Sequence, residues 1–197
     1  MLDPRILETF GSLYEQALAS AEAIPTAMNL ATVDAAGRPR SRIVLLKDFG
    51  PEGFDFYTNY DSDKGAEIAA DAAVALCIHW PTLGEEGGTQ VRIEGRAERL
   101  PAEVSDAYFA SRPRGSQLGA WASLQSQTLP TRDEFETRYA QYEREFTARE
   151  VARPAHWGGY RVAPDRVEFW YGANYRLHER VCWEFTAEQW QSRLLYP

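Results

Sequence analysis

The chain has 197 residues, of which 44% are hydrophobic and 13% aromatic, and its formal net charge is -8 at pH 7. This length and composition are typical of one globular domain with its own core, and they exclude a disordered or fibrous chain. The negative charge and the lack of a basic run argue against a general nucleic-acid-binding protein, since such a protein needs a continuous track of cations for the phosphates.

The N-terminal segment MLDPRILETF carries acidic residues and lacks the charged-then-apolar pattern of a signal peptide. No apolar run approaches the roughly 20 residues needed to span a bilayer, so we expect a cytoplasmic protein. Cys77 and Cys182 stand far apart, and His79, His156 and His178 are scattered. We therefore expect ordinary buried thiols and no metal site.

The first element in chain order is a helix. Asp3 and Pro4 form a helix start, and apolar residues recur at helical spacing up to about Ala21. Further helical patterns cover 63–71, 101–112 and 133–146, and a polar stretch at 116–128 lies between the last two. Strand-like segments cover 27–34, 41–49, 54–60, 73–80, 89–100, 158–163, 165–172, 175–185 and 190–196. Turn residues separate them, and the predicted turns include 163–165 and 186–189.

Strands outnumber helices, and short turns join several neighbouring strands. This pattern predicts a mainly β (α+β) fold, in which an antiparallel sheet or barrel has helices packed outside it. The chain shows no internal repeat and no low-complexity linker. We predict a single domain over 1–197, with an N-terminal helix in 1–22 and the barrel, helices and C-terminal strands in 27–197.

The segment 175–185 carries an alternation of charged and other residues. In an extended strand Arg176, His178 and Arg180 would project from one face, because successive side chains point to opposite sides. From these residues alone a solvated strand face is the favoured interpretation, and a functional role depends on which other parts of the chain could meet these groups.

Known phosphate-binding loops are absent: there is no GxxxxGK[ST], and no GxGxxG at a strand-to-helix turn. The Gly-rich GEEGG at 84–88 is acidic, and we expect a flexible hairpin loop there. Side chains suited to phosphate occur in several separate places, as charge-assisted or hydroxyl donors. They are Arg42, Lys47, Tyr57, Thr58, Ser62, Lys64, Tyr108, Arg112, Arg114, Ser116, Gln117, Gln125 and Ser126.

Arg42 and Lys47 are five residues apart in one predicted strand. In a regular strand they face opposite sides, and we expect them to serve different ligands unless a bulge intervenes. This spacing indicates two separate anions.

Several motifs in this order resemble the pyridoxamine 5'-phosphate oxidase family, FMN enzymes that make pyridoxal 5'-phosphate. The similarity runs from about Asn29 to Pro197, and its two longest motifs, SRPRGSQLGAWASLQSQ and EFWYGANYRLHER, are the most specific. The other motifs are RIVLLK, FYTN, SxK, QVRIEGRAERL and WGGYRV.

The resemblance implies an FMN-binding split β-barrel that forms a homodimer, with two FMN sites at the subunit interface built from both chains. The residues that it assigns to FMN are Arg42, Ile43, Val44, Leu45, Leu46, Lys47, Tyr57, Thr58, Lys64, Gln90, Gln125, Ser126, Trp170 and Arg180. Arg42 and Lys64 would bind the FMN phosphate. Those assigned to substrate are Lys47, Tyr108, Arg112 and Ser116 for the phosphate, and Arg176 and His178 for the pyridine ring.

The implied reaction is oxidation of pyridoxamine 5'-phosphate and pyridoxine 5'-phosphate by dioxygen, with release of hydrogen peroxide. The expected catalytic residues are Arg176, which would position the ring and stabilise charge, and His178, which would hydrogen-bond a ring substituent. No general base stands out. We expect Trp121 to be a packing residue and Arg114 a surface or interface charge, while Trp170 is equally consistent with packing and with flavin contact.

This chain departs from the family pattern in two places. Asp63 stands where the family usually has a basic residue before the lysine of SxK, which puts one phosphate contact in doubt. The GEEGG loop is longer than usual before Gln90. Two alternative functions remain open: an FMN oxidase of the phenazine-pathway type that acts on a non-phosphorylated aromatic substrate, and a non-catalytic protein that binds flavin or pyridoxal phosphate.

Overall fold

The computed structural model describes residues 1–84 and 86–197. The helices, numbered in chain order, are Pro4–Ala19 (α1), Asp63–Ala70 (α2), Ala102–Ser111 (α3), Arg114–Ala122 (α4) and Arg132–Glu145 (α5). The strands are Ala27–Val33 (β1), Pro39–Leu45 (β2), Asp48–Gly50 (β3), Gly53–Asn59 (β4), Ala73–Trp80 (β5), Thr89–Arg99 (β6), Trp157–Tyr171 (β7), Glu179–Thr186 (β8) and Gln189–Leu195 (β9).

Helix α1 begins where the sequence predicts it. The Asp3 side chain caps it by accepting a hydrogen bond from the Arg5 amide at 2.9 Å, and a proline occupies the first helical position, where no amide donor is needed. Its buried face carries Ile6, Phe10 and Ala17, which pack into the barrel core. No described helix is long and apolar enough to cross a membrane.

The strands form one antiparallel sheet in the order β2-β1-β5-β6-β7-β4-β3, with β8 paired to β7 and β9 to β8. The sheet curls so that its two ends approach each other. There the amide of Lys47, just after β2, donates a hydrogen bond to the carbonyl of Asp55 on β4 at 2.9 Å. The prediction of a mainly β split barrel with helices packed outside is confirmed.

Strand β7 is continuous, so the turn predicted at 163–165 is wrong. One edge of β7 pairs with β6, while the other edge is shared by β4 along 157–162 and by β8 along 166–171. Pro164 lies in the gap between these two partners, where a missing amide costs no ladder hydrogen bond. Opposite it, a register shift between Glu94 and Gly95 accommodates the irregularity.

The strand predicted over 175–185 begins only at Glu179. Residues Asn174–Arg176 form a 3₁₀ turn in which Tyr175 and Arg176 have φ values of 58° and 63°. Such left-handed backbone cannot continue an extended strand. The expectation that Arg176, His178 and Arg180 project from one strand face is therefore wrong.

The polar stretch at 116–128 also begins differently from the prediction, because residues up to Ala122 belong to α4. Pro113 separates α3 from α4, and the buried side of α4 carries Gln117 and Leu118. The GEEGG segment joins the antiparallel strands β5 and β6, as a hairpin loop does. Residue 85 of this loop lies outside the described residues, so the expected flexibility stays a prediction there.

Apolar side chains form two cores. The larger fills the barrel and includes the buried rings of Phe10, Phe54, Phe56, Trp80 and Phe169. The smaller lies between the helices and one end of the sheet, and it consists of Phe109, Leu118, Phe146, Val151 and Trp157. The second core holds α3 and α4 against the barrel, and a cleft lies beside it.

Candidate active site

A cleft of about 480 Å³ lies between one end of the barrel and the helices α2, α3 and α4. Most of its walls come from the end of β2, the end of β4 and the α3–α4 corner, and Lys64 of α2, Gln125 after α4 and Trp157 of β7 complete them. The lining residues are Ile43, Val44, Leu45, Lys47, Tyr57, Thr58, Asn59, Lys64, Tyr108, Arg112, Pro113, Ser116, Gln125 and Trp157.

Arg112 is the main cationic group at the helical side of the cleft. It ends α3, and its guanidinium carbon lies 4.5 Å from the centre of the Trp157 ring. Burial lowers the pKa of Arg112, and its Nη1 atom is buried with no hydrogen-bond partner among the described residues. A buried guanidinium nitrogen that lacks a partner is costly, so this geometry favours an anionic ligand.

Aromatic rings line the wall beside Arg112. The rings of Tyr57 and Tyr108 stack with centroids 3.9 Å apart, and Tyr57 also stacks on Trp157 at 5.5 Å. Burial, followed by the charge of Asp55, raises the pKa of Tyr57 to about 12. Its hydroxyl stays protonated at neutral pH, as that of an ordinary tyrosine does, and can donate a hydrogen bond.

Lys47 and Ser116 stand on opposite sides of the cleft, at the end of β2 and in the first turn of α4. The side chains at 43, 45 and 47 are exposed, while Val44 and Leu46 are buried, so the strand-like alternation continues past the end of β2. Because the Leu46 side chain lies in the barrel core, its predicted cofactor contact could only use backbone atoms.

Lys64 projects from the first turn of α2 toward the loop that follows α4. Its Nζ donates to Gln125 Oε1 at 2.7 Å and to Ser62 Oγ at 3.2 Å, and Thr58 Oγ1 donates to the same Gln125 oxygen at 3.4 Å. Ser126 Oγ accepts a hydrogen bond from the backbone amide of the first residue of α2 at 3.1 Å. These contacts bring four of the predicted cofactor residues together.

Arg42 lies behind Lys64 and does not line the cleft. Burial, and then the charge of Arg42, lower the pKa of Lys64, while the carboxylates of Asp63 and Glu67 oppose this shift. Arg42 itself binds Glu67, with Nη2 2.7 Å from Oε2. Arg42 and Lys47 thus face opposite sides, as their spacing predicts.

The remaining predicted residues lie in a second region, formed by the start of β6, the end of β7, the turn after it and the start of β8. Gln90 pairs with Trp170, which pairs with Arg180 in the sheet register, and the Trp170 and His178 rings lie 4.5 Å apart. None of these residues lines the cleft, and neither does the exposed Arg176. Within one chain, the structure does not bring the two groups together.

Two side chains of the second region have defined partners. His178 Nδ1 accepts a hydrogen bond from the Ala173 amide at 3.1 Å, which places the proton of the neutral ring on Nε2. Arg180 donates from Nε to Glu168 Oε1 at 2.8 Å and from Nη1 to the Tyr196 carbonyl at 3.1 Å. Both orientations are set by neighbours.

Comparison with protein families identifies the fold's relatives. The sequence model described as "Pyridoxamine 5'-phosphate oxidase" matches residues 15–146. A second, described as "Pyridoxine 5'-phosphate oxidase C-terminal dimerisation region", matches residues 157–197.

The chain belongs to the pyridoxamine 5'-phosphate oxidase family.

Curated members of the family match along nearly the whole chain. A "Pyridoxine/pyridoxamine 5'-phosphate oxidase" from Myxococcus xanthus (strain DK1622) is 49% identical over 197 residues, which cover 100% of this chain and 94% of the relative. One with the same name from Xanthomonas campestris pv. campestris (strain 8004) is 53% identical over 194 residues, 97% of this chain and 96% of the relative. The resemblance inferred from the motifs is thus confirmed.

Two solved structures share the fold. PhzG from Burkholderia lata 383, crystallised with tetrahydrophenazine-1-carboxylic acid, is 27% identical with a TM-score of 0.87, covering 99% of this chain and 93% of that one. A pyridoxamine 5'-phosphate oxidase-related, FMN binding protein from Nostoc punctiforme PCC 73102 is 16% identical with a TM-score of 0.77, and each chain is covered completely. The second supports the fold alone.

The sequence analysis missed three lining residues: Asn59, Pro113 and Trp157. Trp157 begins the WGGYRV motif, so its place beside two glycines on a strand was the available signal. Trp121 and Arg114 stand as expected: Trp121 packs on Phe146 and donates to a backbone carbonyl at 2.8 Å, while Arg114 is an exposed residue whose guanidinium binds backbone carbonyls.

Proposed function

We propose that the protein is an FMN-dependent oxidase that converts pyridoxamine 5'-phosphate and pyridoxine 5'-phosphate to pyridoxal 5'-phosphate. The single observation that carries this proposal is the buried Nη1 of Arg112, which has no hydrogen-bond partner in the described part of the chain, in a cleft that also presents Lys47 and Ser116. A guanidinium, an ammonium and a hydroxyl are a suitable donor set for the phosphate of a substrate. The curated relatives carry the same activity in their names.

The cofactor fits the other side of the cleft. Lys64, with Arg42 behind it, supplies positive charge for the phosphate of FMN, and the β2 residues 43–45 supply an apolar wall. Gln125, Thr58 and the more distant members of the predicted set would complete the contacts. FMN, when bound, accepts two electrons as a hydride from the substrate and passes them to dioxygen.

We also propose that each site is completed by a second copy of the chain. Gln90, Trp170, Arg176, His178 and Arg180 are assigned to ligands by resemblance, yet none lines the cleft of its own chain. The match of residues 157–197 to a dimerisation region supports an arrangement in which the partner subunit brings these groups to the cleft.

In the proposed complex the protein's residues bind and orient the substrate. Lys47, Arg112 and Ser116 hold its phosphate, and Tyr108 closes the same end of the cleft. Arg176 of the partner subunit positions the pyridine ring, and His178 of the partner subunit donates a hydrogen bond from Nε2 to a ring substituent. Fixing the reacting carbon in this way lowers the entropic part of the barrier.

The proposed reactions balance as follows. Pyridoxine 5'-phosphate loses two hydrogens from its CH₂OH group to give the aldehyde, and dioxygen gains them as hydrogen peroxide. Pyridoxamine 5'-phosphate loses two hydrogens from its CH₂NH₂ group to give an imine, which water hydrolyses to the aldehyde and ammonia. No additional reductant or oxidant is required.

The test is an assay of peroxide release by the FMN-loaded protein with each phosphorylated vitamer and with unphosphorylated pyridoxine. We expect peroxide, and one equivalent of pyridoxal 5'-phosphate, only with the phosphorylated compounds. Comparable rates with and without the phosphate would overturn the proposal, and so would the absence of any reaction.

The similarity to PhzG supports one alternative, an oxidase that acts on a larger aromatic acid without a phosphate. The same assay with a dihydrophenazine carboxylic acid separates the two functions. Oxidation of this compound alone would favour the alternative, whereas the cationic groups around Arg112 lead us to expect turnover of the phosphorylated vitamers.

A further inference from the structure

The Arg42 side chain is held by a partly buried carboxylate that has no assigned role. Glu67, on α2, accepts hydrogen bonds at Oε2 from Arg42 Nη2 at 2.7 Å and from Thr32 Oγ1 at 2.5 Å. The side chains of Glu67 and Arg42 are only 10% and 22% exposed. Three elements, β1, β2 and α2, therefore meet at one carboxylate oxygen.

The contacts of Arg42 use only part of its hydrogen-bonding capacity. Its Nη1 donates to the Thr32 hydroxyl and, at 3.4 Å, to the Leu30 carbonyl, and its Nη2 donates to Glu67. A guanidinium has five N–H groups, so two of them lack an acceptor among the described residues. The plane of the guanidinium is fixed while donors remain for an external anion.

Glu67 also lies between two converging cations. It is three residues after Lys64 on α2, so both side chains leave the helix on the same side. The charge of Arg42 lowers the pKa of Lys64, and the charge of Glu67 raises it. Glu67 therefore lies close enough to interact with both cations.

We propose that Glu67 is a positioning residue for a phosphomonoester, which it serves by holding Arg42 beside Lys64. The inference rests on the proposed function, in which that phosphomonoester is FMN. Glu67 itself would make no contact with the phosphate, because two like charges would repel. Its effect is preorganisation, since a side chain already held in place loses less entropy on binding.

The test compares two flavins that differ only in the phosphate. Dissociation constants of FMN and riboflavin are measured by fluorescence quenching for the parent and for Glu67→Ala, Glu67→Gln and Glu67→Asp. For Glu67→Ala we expect FMN affinity to fall about tenfold, which is the lower end of what an orienting partner contributes at metal sites. Riboflavin affinity should stay unchanged.

The conservative variants separate reach from charge. Glutamine keeps the length and an acceptor oxygen with two lone pairs, so Glu67→Gln should bind FMN within about threefold of the parent. Glu67→Asp keeps the charge but is one methylene shorter, and its FMN affinity should approach that of Glu67→Ala. The reverse order, with Asp close to the parent and Gln weak, would mean that charge alone matters and would overturn the inference.

A second measurement excludes a merely structural role. In an Arg42→Ala background, replacement of Glu67 by Ala should no longer alter FMN affinity, because no guanidinium remains to be held. Glu8→Ala, which removes an exposed glutamate from α1, is the matched control and should leave both flavin affinities unchanged.

The outcomes distinguish this inference from the proposed function. A parent protein that binds neither flavin contradicts the proposed function itself. A parent that prefers FMN to riboflavin, with all Glu67 variants equal to it, contradicts only the role of Glu67. Tighter FMN binding by Glu67→Ala would also overturn the inference, because the carboxylate would then compete with the phosphate.

Discussion

Two regions of the molecule gather cationic side chains, and they differ in how those charges are balanced. In the cleft, Arg112 and Lys47 form no ion pair with a described carboxylate. On the outer face of β6 to β9, four arginines each have an acidic partner within 3.4 Å. The pairs there join Arg92, Arg166, Arg180 and Arg193 to Glu94, Glu168 and Glu184.

The cations of the cleft can bind a ligand, whereas the arginines of the outer face are already paired with carboxylates of the fold. A half-buried guanidinium without an acceptor loses hydration and gains little in return, so an anion that enters the cleft recovers that loss. Arg180 belongs to the paired group, because Glu168 and the Tyr196 carbonyl already take several of its donors. Any contact of Arg180 with a flavin would therefore use a side chain that is held in place beforehand.

The largest effect should follow from breaking the paired region. The Glu168 side chain is 1% exposed and lies within 2.9 Å of both Arg166 and Arg180. Glu168→Gln would leave Arg180 without a carboxylate partner and would leave Arg166 with only Glu94 and Glu184. We expect the free energy of unfolding to fall by about 3 kcal/mol, measured by urea denaturation at a fixed protein concentration.

An exposed ion pair provides the matched comparison. Glu136 is 63% exposed and pairs with Arg132 one turn away on α5. Because such pairs contribute little, Glu136→Gln should change the free energy of unfolding by less than about 0.5 kcal/mol. If the two variants were equally stable, the contrast between a buried network and surface charges would be lost.

The next largest effect concerns the unpaired region. Arg112→Ala removes the guanidinium whose Nη1 has no hydrogen-bond partner among the described residues. The KM for pyridoxine 5'-phosphate should therefore rise by about 100-fold, since hydrogen bonds between charged groups contribute about 1.5–3 kcal/mol. Arg112→Lys keeps the charge without the planar fork, so its KM should lie between that of the parent and that of Arg112→Ala. FMN affinity should be unaffected, because no cofactor contact is assigned to this residue.

Arg144→Ala is the control for this experiment. Arg144 is an exposed residue in the last turn of α5, away from the cleft lining. Its loss changes the net charge by the same amount as the loss of Arg112, and we expect an unchanged KM. A parallel rise of KM in both variants would assign the effect to overall charge rather than to the cleft.

The strands could be predicted from the sequence, whereas the shape of the cleft could not. The strands β1, β5 and β6 have clear period-two patterns and Gly-rich or polar turns, so their positions follow from local physics. The cleft residues near α3 and α4 were assigned through long motifs. Their gathering in one cleft depends on how α3 and α4 pack, which no local pattern specifies.

The errors lie where the tertiary structure overrides a local signal. Pro164 resembles a turn residue in the sequence, yet it is tolerated inside β7 because the partner strand changes at that point. Arg176 and His178 alternate as strand residues do, but left-handed backbone at Tyr175 and Arg176 ends the extended conformation. Glu67 was not predicted as a site residue, because a glutamate on a short helix has no distinctive sequence pattern until its partner on β2 is known.

The smallest effect concerns Asp63, which stands where the family usually has a basic residue. It occupies the first turn of α2, where its negative charge favours the helix but lies next to Lys64. Asp63→Arg should strengthen FMN binding by about threefold to tenfold through added attraction for the phosphate, and riboflavin binding should not change. The helix should lose about 0.3–1 kcal/mol of stability in exchange.

Asp71→Arg tests whether position or charge is responsible. Asp71 caps the other end of α2, about 12 Å along the helix axis from Asp63. That distance exceeds the screening length of about 8 Å at physiological salt, so this variant should leave FMN affinity unchanged. Equal strengthening by both substitutions would mean that FMN responds to the net charge of the protein. Strengthening by Asp63→Arg alone would place the phosphate at the start of α2, beside Lys64 and Arg42.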